Sequence, residues 1–355
     1  MAYEKSKAIV VDRPKRAVLQ EIRMPAVTDA SIVVRTRYSA ISSGTEMKVY
    51  SGVTGALDGN LWYPLVPGYE NVGEVVFLGD KAKDITTHGG EKLNVGDRVM
   101  CNEVRTFPDH CAAWGGQVAY GIKDLLKVKK SADMIAKIPD NVSYQEAVVA
   151  YLACVAKKGV DMVGVREGET VLVIGAGNVG LSAMQLARLR GCTVIAVDSN
   201  AGRIGIAKKF APHTVHADAT GAKAINAVAE ITNGRMADVV IECSGDTKVV
   251  GELYRYLRDG GWGRNDEGGR IHLQAEYPYP ITISPYSRWF GKNMKLSMSC
   301  ALRPGSKEDI LALISAGKFD AQALVTMERS VDEAPHAYEE FRKDRGDILK
   351  VLLKW

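Results

Sequence analysis

The sequence has no long apolar run and no strong excess of one charge. None of its apolar runs approaches the about 20 residues that a helix needs to cross a membrane, and residues 1–7 lack the apolar core of a secretory signal. The formal net charge is only +4, and the lysines and arginines are spread along the chain, which argues against a nucleic-acid surface. We therefore expect a cytoplasmic protein that binds neither membranes nor nucleic acid.

Cysteine is also scarce, and the sequence contains no cluster of four closely spaced cysteines of the kind that holds a structural zinc ion. Several cysteines stand in apolar strand or helix patterns, which predicts reduced and mostly buried thiols. The six cysteines are Cys101, Cys111, Cys154, Cys192, Cys243 and Cys300.

The overall composition is that of an ordinary globular protein. Hydrophobic residues make up 46% of the chain and charged residues 25%, both close to the usual values for such proteins. At 355 residues the chain is long enough for two domains.

The most informative segment lies in the middle of the chain. The apolar run 171–174 leads directly into Gly175, Gly177 and Gly180 at G-x-G-x-x-G spacing. A helix-compatible segment follows, and a second apolar strand then ends on Asp198, about twenty residues beyond the glycines as in dinucleotide-binding units. This complete β-α-β pattern predicts a site for a dinucleotide.

Each residue type in this unit has a physical reason. Gly175 makes a tight turn, Gly177 lets the backbone approach a pyrophosphate at the helix N-terminus, and Gly180 allows close packing of helix and strand. The Asp198 carboxylate would accept hydrogen bonds from the ribose hydroxyls and repel a 2′-phosphate, which favours NAD over NADP.

Three further positions complete the predicted cofactor site. Ser199 follows Asp198, Arg203 lies one turn into the next helix, where it would stack on adenine or pack at the rim, and Ser244 follows a sheet strand at the cofactor edge. The predicted cofactor-binding residues are Gly175, Gly177, Asn178, Val179, Gly180, Asp198, Ser199, Arg203 and Ser244.

The rest of the chain divides by its hydrophobic pattern. Before about residue 120 it is β-rich and broken by turn signals, which suits a small barrel, and helical periodicity then appears between residues 141 and 166. The predicted strands of the β-rich part are residues 6–11, 31–39, 68–78, 97–104 and 116–120.

From residue 170 onward strands and helices alternate, which predicts a doubly wound parallel sheet. Its predicted strands are residues 170–174, 193–197, 214–216, 239–242 and 270–274. Beyond residue 297 we predict helices at 307–316 and 331–343, and a strand at 350–354 that could return to the first domain. The glycine-rich loop 260–269 is either a surface excursion or a lid.

Several short motifs occur in the order found in zinc alcohol dehydrogenases. Gly44-Thr45-Glu46 resembles their Cys-Gly-Thr-Asp segment, and Gly68-Tyr69-Glu70 resembles their Gly-His-Glu segment. Residues 95–99 and 115–120 resemble their Gly-Asp-Arg-Val and Gly-Gly-Phe-Ala-Glu-Tyr segments. The chain thus resembles the medium-chain dehydrogenase/reductase superfamily along nearly its whole length.

This resemblance implies an α/β fold with a Rossmann doubly wound parallel sheet and a GroES-like β-barrel substrate domain. We place the GroES-like domain at residues 1–147 and 298–355, and the NAD-binding domain at 148–297. Residues 41–46, 63–70 and 351–355 look most like the bacteriochlorophyllide a dehydrogenase subgroup, whose Ser-Gly-Thr-Glu style several sugar and cyclitol dehydrogenases share.

The resemblance implies that the catalytic zinc ligands of that superfamily are replaced in this chain, and that only Glu70 survives from the usual set. The resemblance places Ser43, Tyr69 and Tyr151 at the three ligand positions, where a hydroxyl and two phenols are poor ligands compared with thiolate, imidazole and carboxylate. His110 and Cys111 fall where a structural zinc lobe is often found, but His110 is better interpreted as a loop or pocket residue. We predict neither catalytic nor structural zinc.

Without a metal, side chains must handle the hydroxyl proton of an alcohol. In the family, a hydroxyl two residues beyond the first ligand contacts the substrate oxygen and a histidine three residues further relays the proton; Thr45 and Lys48 stand at these positions. Lys48 is either a base or oxyanion stabiliser, or a surface lysine that contacts the cofactor pyrophosphate. Tyr69 and Tyr151 either donate hydrogen bonds or fill the volume that the metal leaves.

Two carboxylates nearby have alternative interpretations. Glu70 is either a catalytic acid or a structural partner of a nearby arginine, and Glu46 either binds a substrate hydroxyl or closes a salt bridge. The predicted catalytic residues are Thr45, Lys48, Tyr69, Glu70 and Tyr151.

The sequence therefore predicts a zinc-independent, NAD-dependent dehydrogenase. It would oxidise a secondary alcohol of a polyhydroxylated small molecule, a sugar or cyclitol, to a ketone, or catalyse the reverse. The subgroup resemblance implies instead the 1-hydroxyethyl group of a bacteriochlorophyllide. An enoyl or quinone reductase is disfavoured by Asp198, and a non-catalytic NAD(H)-binding protein is the alternative from another class. Edge strands at 281–283 or 295–299 would pair two copies as a homodimer.

Overall fold

The computed structural model describes residues 3–53, 61–218, 221–261, 263, 267–277, 279–344, 346 and 348–355. The chain divides into two compact units. Unit 1 comprises Met1–Tyr151 and Arg303–Trp355, and unit 2 comprises Leu152–Leu302.

The strands of the described residues are short except for the first three and the fifth. They are β1 (Lys5–Arg13), β2 (Arg16–Arg23), β3 (Ser31–Ile41), β4 (Leu65–Val66), β5 (Glu70–Leu78), β6 (Arg98–Met100), β7 (Cys111–Ala112), β8 (Tyr120–Asp124), β9 (Ala136–Lys137), β10 (Thr170–Ile174), β11 (Thr193–Asp198), β12 (His213–His216), β13 (Val239–Glu242), β14 (Arg270–Leu273), β15 (Lys295–Met298), β16 (Met327–Ser330) and β17 (Val351–Lys354).

The helices range from one turn to five. They are α1 (Thr45–Tyr50), α2 (Leu125–Val128), α3 (Tyr144–Met162), α4 (Asn178–Leu189), α5 (Ala201–Ala207), α6 (Ala222–Ile231), α7 (Thr247–Val250), α8 (Tyr286–Phe290), α9 (Ser306–Ser315) and α10 (Ala334–Lys343). Across the described parts of the chain, none of them combines the length and the apolar character that crossing a membrane requires.

Unit 2 is built on a six-stranded sheet in the order β12-β11-β10-β13-β14-β15. Every neighbouring pair is parallel. Strand β10 lies in the middle and its residues Val171–Ile174 are buried, as expected of a strand that helices cover on both faces. This strand order, reversing between β10 and β13, is that of the Rossmann fold, so the predicted doubly wound sheet is confirmed.

Unit 1 contains two mainly antiparallel sheets. Strands β2, β1, β4 and β7 form one, and the other follows the order β16-β17-β3-β5-β6-β9, with β8 also paired to β3. The C-terminal strand β17 runs antiparallel to β3, with Val351 opposite Ile41. The last strand of the chain therefore pairs with a strand near its beginning, as the sequence suggested.

Two predicted strands differ in the structure, and the structure contains strands that were not predicted. The strand predicted at residues 116–120 is displaced to β8, because Gly116 and Gln117 bond instead to the backbone of Gly68 and Pro67. Residues 281–283 form no strand, whereas β15 does form. Strand β2 was not predicted, although it pairs with β1 along nearly its whole length. Of the loop 260–269, residues 262 and 264–266 lie outside the described residues.

Candidate active site

The glycine turn of unit 2 has the geometry of a dinucleotide cradle. Gly175 follows β10 with a φ of +96°, and a Cβ atom there would lie 2.7 Å from the Ser244 backbone nitrogen. A Cβ atom on Gly180 would lie 1.8 Å from the Gly175 carbonyl oxygen. A Cβ atom on Gly177, in contrast, would meet no described atom within 4 Å.

This contrast separates two roles among the glycines. Gly175 and Gly180 are required by packing, whereas Gly177 caps the N-terminus of α4 in an extended conformation and leaves open space before the helix. Asn178 is buried and Val179 half-buried in the first turn of α4. The backbone N–H groups and the helix dipole at such an end favour a phosphate, so these residues fit the pyrophosphate of a dinucleotide.

Asp198 ends β11 beside this turn. Its carboxylate oxygens accept hydrogen bonds from the backbone N–H groups of Ala176 at 2.6 Å and Asn200 at 2.7 Å, so the side chain is held in one orientation. Each carboxylate oxygen retains further lone pairs with which to accept a ribose hydroxyl. Ser199 is exposed and Arg203 is half-buried in α5, close in sequence to the aspartate.

Ser244 lies at the same edge of the sheet, where β13 ends on a fully buried carboxylate, Glu242. The Ser244 backbone N–H donates to Glu242 at 2.6 Å, and the hydroxyls of Ser244 and Tyr277 also donate to it. Burial raises the pKa of Glu242, and these donors oppose the rise. Glu242 therefore orients the loop that carries Ser244, a role that sequence analysis did not assign.

In unit 1, Thr45 and Lys48 lie on the short helix α1. Both are half-buried, whereas Glu46, Met47 and Val49 are buried. Residues three apart share one face of a helix, so the helix brings Thr45 and Lys48 together on its partly accessible side. Ser43 and Gly44, just before the helix, are exposed.

The two predicted phenols are packed against each other. The rings of Tyr69 and Tyr151 stack with centroids 4.9 Å apart, and Trp114 meets Tyr69 edge-on at 5.4 Å. The Tyr69 hydroxyl donates to the Ser42 Oγ atom, and the Tyr151 hydroxyl donates to Glu103 Oε1 at 2.8 Å. The two rings thus lie together, and each phenol hydroxyl donates a hydrogen bond.

Glu70 is completely buried and pairs with Lys350, which is also completely buried. The partner is thus a lysine near the C-terminus, not the arginine that sequence analysis considered. Burial raises the pKa of Glu70 to about 7 although the Lys350 ammonium group opposes this. The signal in the sequence was a lone lysine within the apolar run 348–353.

Glu46 is also completely buried. It accepts hydrogen bonds from the Ser42 N–H at 2.9 Å, the Gln117 amide at 3.1 Å and the Tyr338 hydroxyl. Both carboxylate oxygens are used inside the unit, so Glu46 braces the start of α1 rather than binding a substrate hydroxyl or closing a salt bridge at the surface. Burial raises its pKa.

Two family models match the chain. Residues 28–140 match the model described as alcohol dehydrogenase GroES-like domain, and residues 178–262 match the model described as zinc-binding dehydrogenase. Together they cover more than half of the chain. The first model lies within unit 1 and the second within unit 2. The chain belongs to the medium-chain dehydrogenase/reductase superfamily.

Individual relatives agree with this membership. Sorbitol dehydrogenase 2 of Saccharomyces cerevisiae is 26% identical over 99% of both chains. D-xylulose reductase A of Aspergillus niger is 33% identical over 62% of this chain and 60% of its own. A solved structure, a putative zinc-binding dehydrogenase from Sinorhizobium meliloti bound to NADP, has a TM-score of 0.79 at 21% identity and covers 99% of both chains. The protein is an oxidoreductase, and its fold is one that binds a nicotinamide cofactor.

The side chains that the resemblance places at the zinc ligand positions are poor ligands for a zinc ion. Ser43, Tyr69 and Tyr151 supply hydroxyls only, and in the described part of the chain no group of three or more His, Cys, Asp or Glu side chains is arranged to hold a metal ion. His110 Nε2 lies 3.5 Å from Gln20 Nε2, and burial raises the pKa of Cys101 to about 11, which disfavours the thiolate that zinc requires.

Proposed function

We propose that this protein is a zinc-independent, NAD-dependent dehydrogenase that oxidises a secondary alcohol of a sugar or cyclitol to the ketone, or catalyses the reverse. The observation that carries the proposal is the direct ring contact of Tyr69 and Tyr151, two phenols that the resemblance places, together with Ser43, at the three zinc ligand positions. Thr45 and Lys48 add a hydroxyl and an ammonium group on one face of α1. The polyol names of the yeast and Aspergillus relatives support the substrate class.

The bound nicotinamide would supply the hydride acceptor, and the residues of unit 1 would manage the substrate. The Thr45 hydroxyl would hydrogen-bond the reacting oxygen, and Lys48 would stabilise negative charge on that oxygen. The stacked phenols Tyr69 and Tyr151 would hold or return its proton. The polar groups around them would bind the remaining hydroxyls of a polyol. A cytoplasmic location is part of the same proposal.

Metal analysis combined with turnover tests this function. Purified protein is assayed with NAD on a panel of polyols, cyclitols and hydroxyethyl tetrapyrroles, before and after chelation. Chelator-resistant turnover of a polyol without bound metal is expected. Stoichiometric zinc with chelator-sensitive turnover would contradict the metal-free mechanism, turnover of the tetrapyrrole alone would contradict the substrate class, and NAD binding without any turnover would identify a non-catalytic protein.

The preference for NAD is a separate prediction. Replacing Asp198→Asn removes the charge that would repel a 2′-phosphate while keeping the size of the side chain. We expect the NAD-to-NADP ratio of kcat/KM to fall at least about tenfold, equivalent to about 1.4 kcal/mol. Both dinucleotides are measured on the same variant, so any general effect on the fold cancels in the ratio.

A matched control is Glu230→Gln, which removes one exposed carboxylate from α6 of the same unit. Its ratio is expected to equal that of the wild type. An unchanged ratio in Asp198→Asn would show that Asp198 does not discriminate between the dinucleotides.

We also propose that the protein forms a homodimer through the edge of the unit 2 sheet. Strand β15 is one of the two edge strands of this sheet. Met298 on β15 is 59% exposed, and Phe290 at the end of α8 is 73% exposed. An apolar edge strand with unpaired backbone groups is a template for pairing. Met298→Lys should lower the mass measured by sedimentation from dimer to monomer, whereas the control Leu189→Lys, at an exposed leucine of α4, should not. A monomeric wild type would contradict the proposal.

A further inference from the structure

A buried carboxylate that sequence analysis did not single out lies directly behind Tyr151. Glu103 is 5% exposed, and its Oε1 atom accepts the Tyr151 hydroxyl hydrogen bond at 2.8 Å. Its Oε2 atom forms an ion pair with Arg105, whose side chain is 61% exposed. Glu103 therefore links Tyr151, which the resemblance places at a zinc ligand position, to an arginine at the surface.

The ion pair alone does not account for burying this carboxylate. An ion pair with a largely exposed arginine stabilises a protein only weakly, whereas burying a carboxylate is costly unless it is hydrogen-bonded. The inner oxygen of Glu103 is committed to Tyr151. The Glu103 carboxylate therefore orients the Tyr151 phenol. It also lies where it can accept the phenol proton.

Besides Arg105, the ion pair of Lys123 with Asp133 faces Glu103. The Asp133 carboxylate opposes the ionisation of Glu103, whereas Arg105 and Lys123 favour its ionisation. Burial is the largest influence and raises the pKa of Glu103 above its ordinary value. The carboxylate thus holds a proton more readily than an exposed glutamate does.

We propose that Glu103 is a positioning residue of the dehydrogenase reaction, which accepts the Tyr151 proton while Tyr151 takes the proton of the substrate hydroxyl. This inference rests on the proposed function. The substrate O–H bond breaks as an O–H bond forms on Tyr151, and the former Tyr151 proton moves to Glu103 Oε1. The hydride leaves the carbinol carbon with its electron pair for the nicotinamide. For each alcohol oxidised, one proton is released to solvent, and Glu103 returns to its ionised state before the next turnover.

The test uses the variants Glu103→Gln, Tyr151→Phe and the double variant. General base catalysis contributes about 100- to 10,000-fold, so each single variant should lower kcat for polyol oxidation at least about 100-fold, with KM for NAD unchanged. The double variant should be no slower than Tyr151→Phe, because both residues act in one step. Wild-type kcat should rise with pH as Glu103 ionises, and this dependence should be absent in Glu103→Gln.

The matched control is Glu74→Gln, which removes a carboxylate paired with Arg35 and Arg37 elsewhere in unit 1; it should keep the wild-type pH profile. If Glu103→Gln does not fold, Tyr151→Phe, which retains the ring stack on Tyr69, must still lose the pH dependence.

Two outcomes would overturn the inference while the proposed function stands. One is a wild-type kcat in Glu103→Gln, and the other is a double variant whose loss is the product of the two single losses. Absence of wild-type turnover on every substrate would overturn both.

Discussion

Replacing Lys350→Met is expected to lower the free energy of unfolding by about 3–5 kcal/mol, because it leaves the buried Glu70 carboxylate without its cation. Both side chains are completely buried, and the second Glu70 oxygen has no hydrogen-bond partner among the described residues. Urea unfolding of the two proteins measures the difference.

The double variant Glu70→Gln/Lys350→Met should recover most of this loss. Removing both charges of a buried pair is often neutral, whereas removing one is not. The control is Lys354→Met, at an exposed lysine on the same strand β17, which should change the stability by less than about 0.5 kcal/mol. A Lys350→Met variant as stable as this control would show that the pair does not stabilise unit 1.

The pH dependence of the effect has a definite sign. The pKa of Glu70 in the folded protein, about 7, lies above that of an ordinary glutamate because of burial, so its contribution to stability is present at low pH and is lost as the pH rises through about 7. Without the Lys350 ammonium group the folded pKa rises further. The difference between wild type and Lys350→Met should therefore be larger at about pH 9 than at about pH 5.

The sequence identified the parts of the fold that depend on local signals. Strands β10 and β13 lie where the apolar runs predicted them, and Asp198 and the three glycines occupy the expected positions around one turn. These features follow from residues that are close in the chain, such as a glycine that must adopt a positive φ or a β-branched run that must be buried.

Contacts between residues far apart in the sequence could not be predicted from local patterns. Glu70 and its partner Lys350 are 280 residues apart, and Glu46 and Tyr338 are 292 apart, so no local pattern connects them. The same holds for Glu103, which reads as an ordinary polar residue until the fold places it against Tyr151. The resemblance assigned Tyr69 and Tyr151 to zinc ligand positions. Only the contacts in the structure show that each phenol hydroxyl donates to a specific acceptor.

Replacing Gly180→Ala is expected to disrupt unit 2, whereas Gly177→Ala is expected to leave it folded and impair only dinucleotide binding. The added Cβ at Gly180 would lie 1.8 Å from a backbone oxygen, a contact that no side-chain rotation relieves, so the backbone must move. We expect a loss of at least about 3 kcal/mol in unfolding free energy, measured by thermal or urea unfolding, and loss of measurable NAD binding.

At Gly177 the added Cβ meets no described atom within 4 Å, but it would occupy the space in which a pyrophosphate approaches the N-terminus of α4. Losing the glycine cap costs about 1 kcal/mol or less, while the Kd for NAD should rise at least about tenfold in calorimetric titration. Gly205→Ala in α5, also open to solvent, is the control and should alter neither quantity adversely. Wild-type affinity in Gly177→Ala would mean that the pyrophosphate does not bind at this helix end, because a methyl group cannot share that space with it.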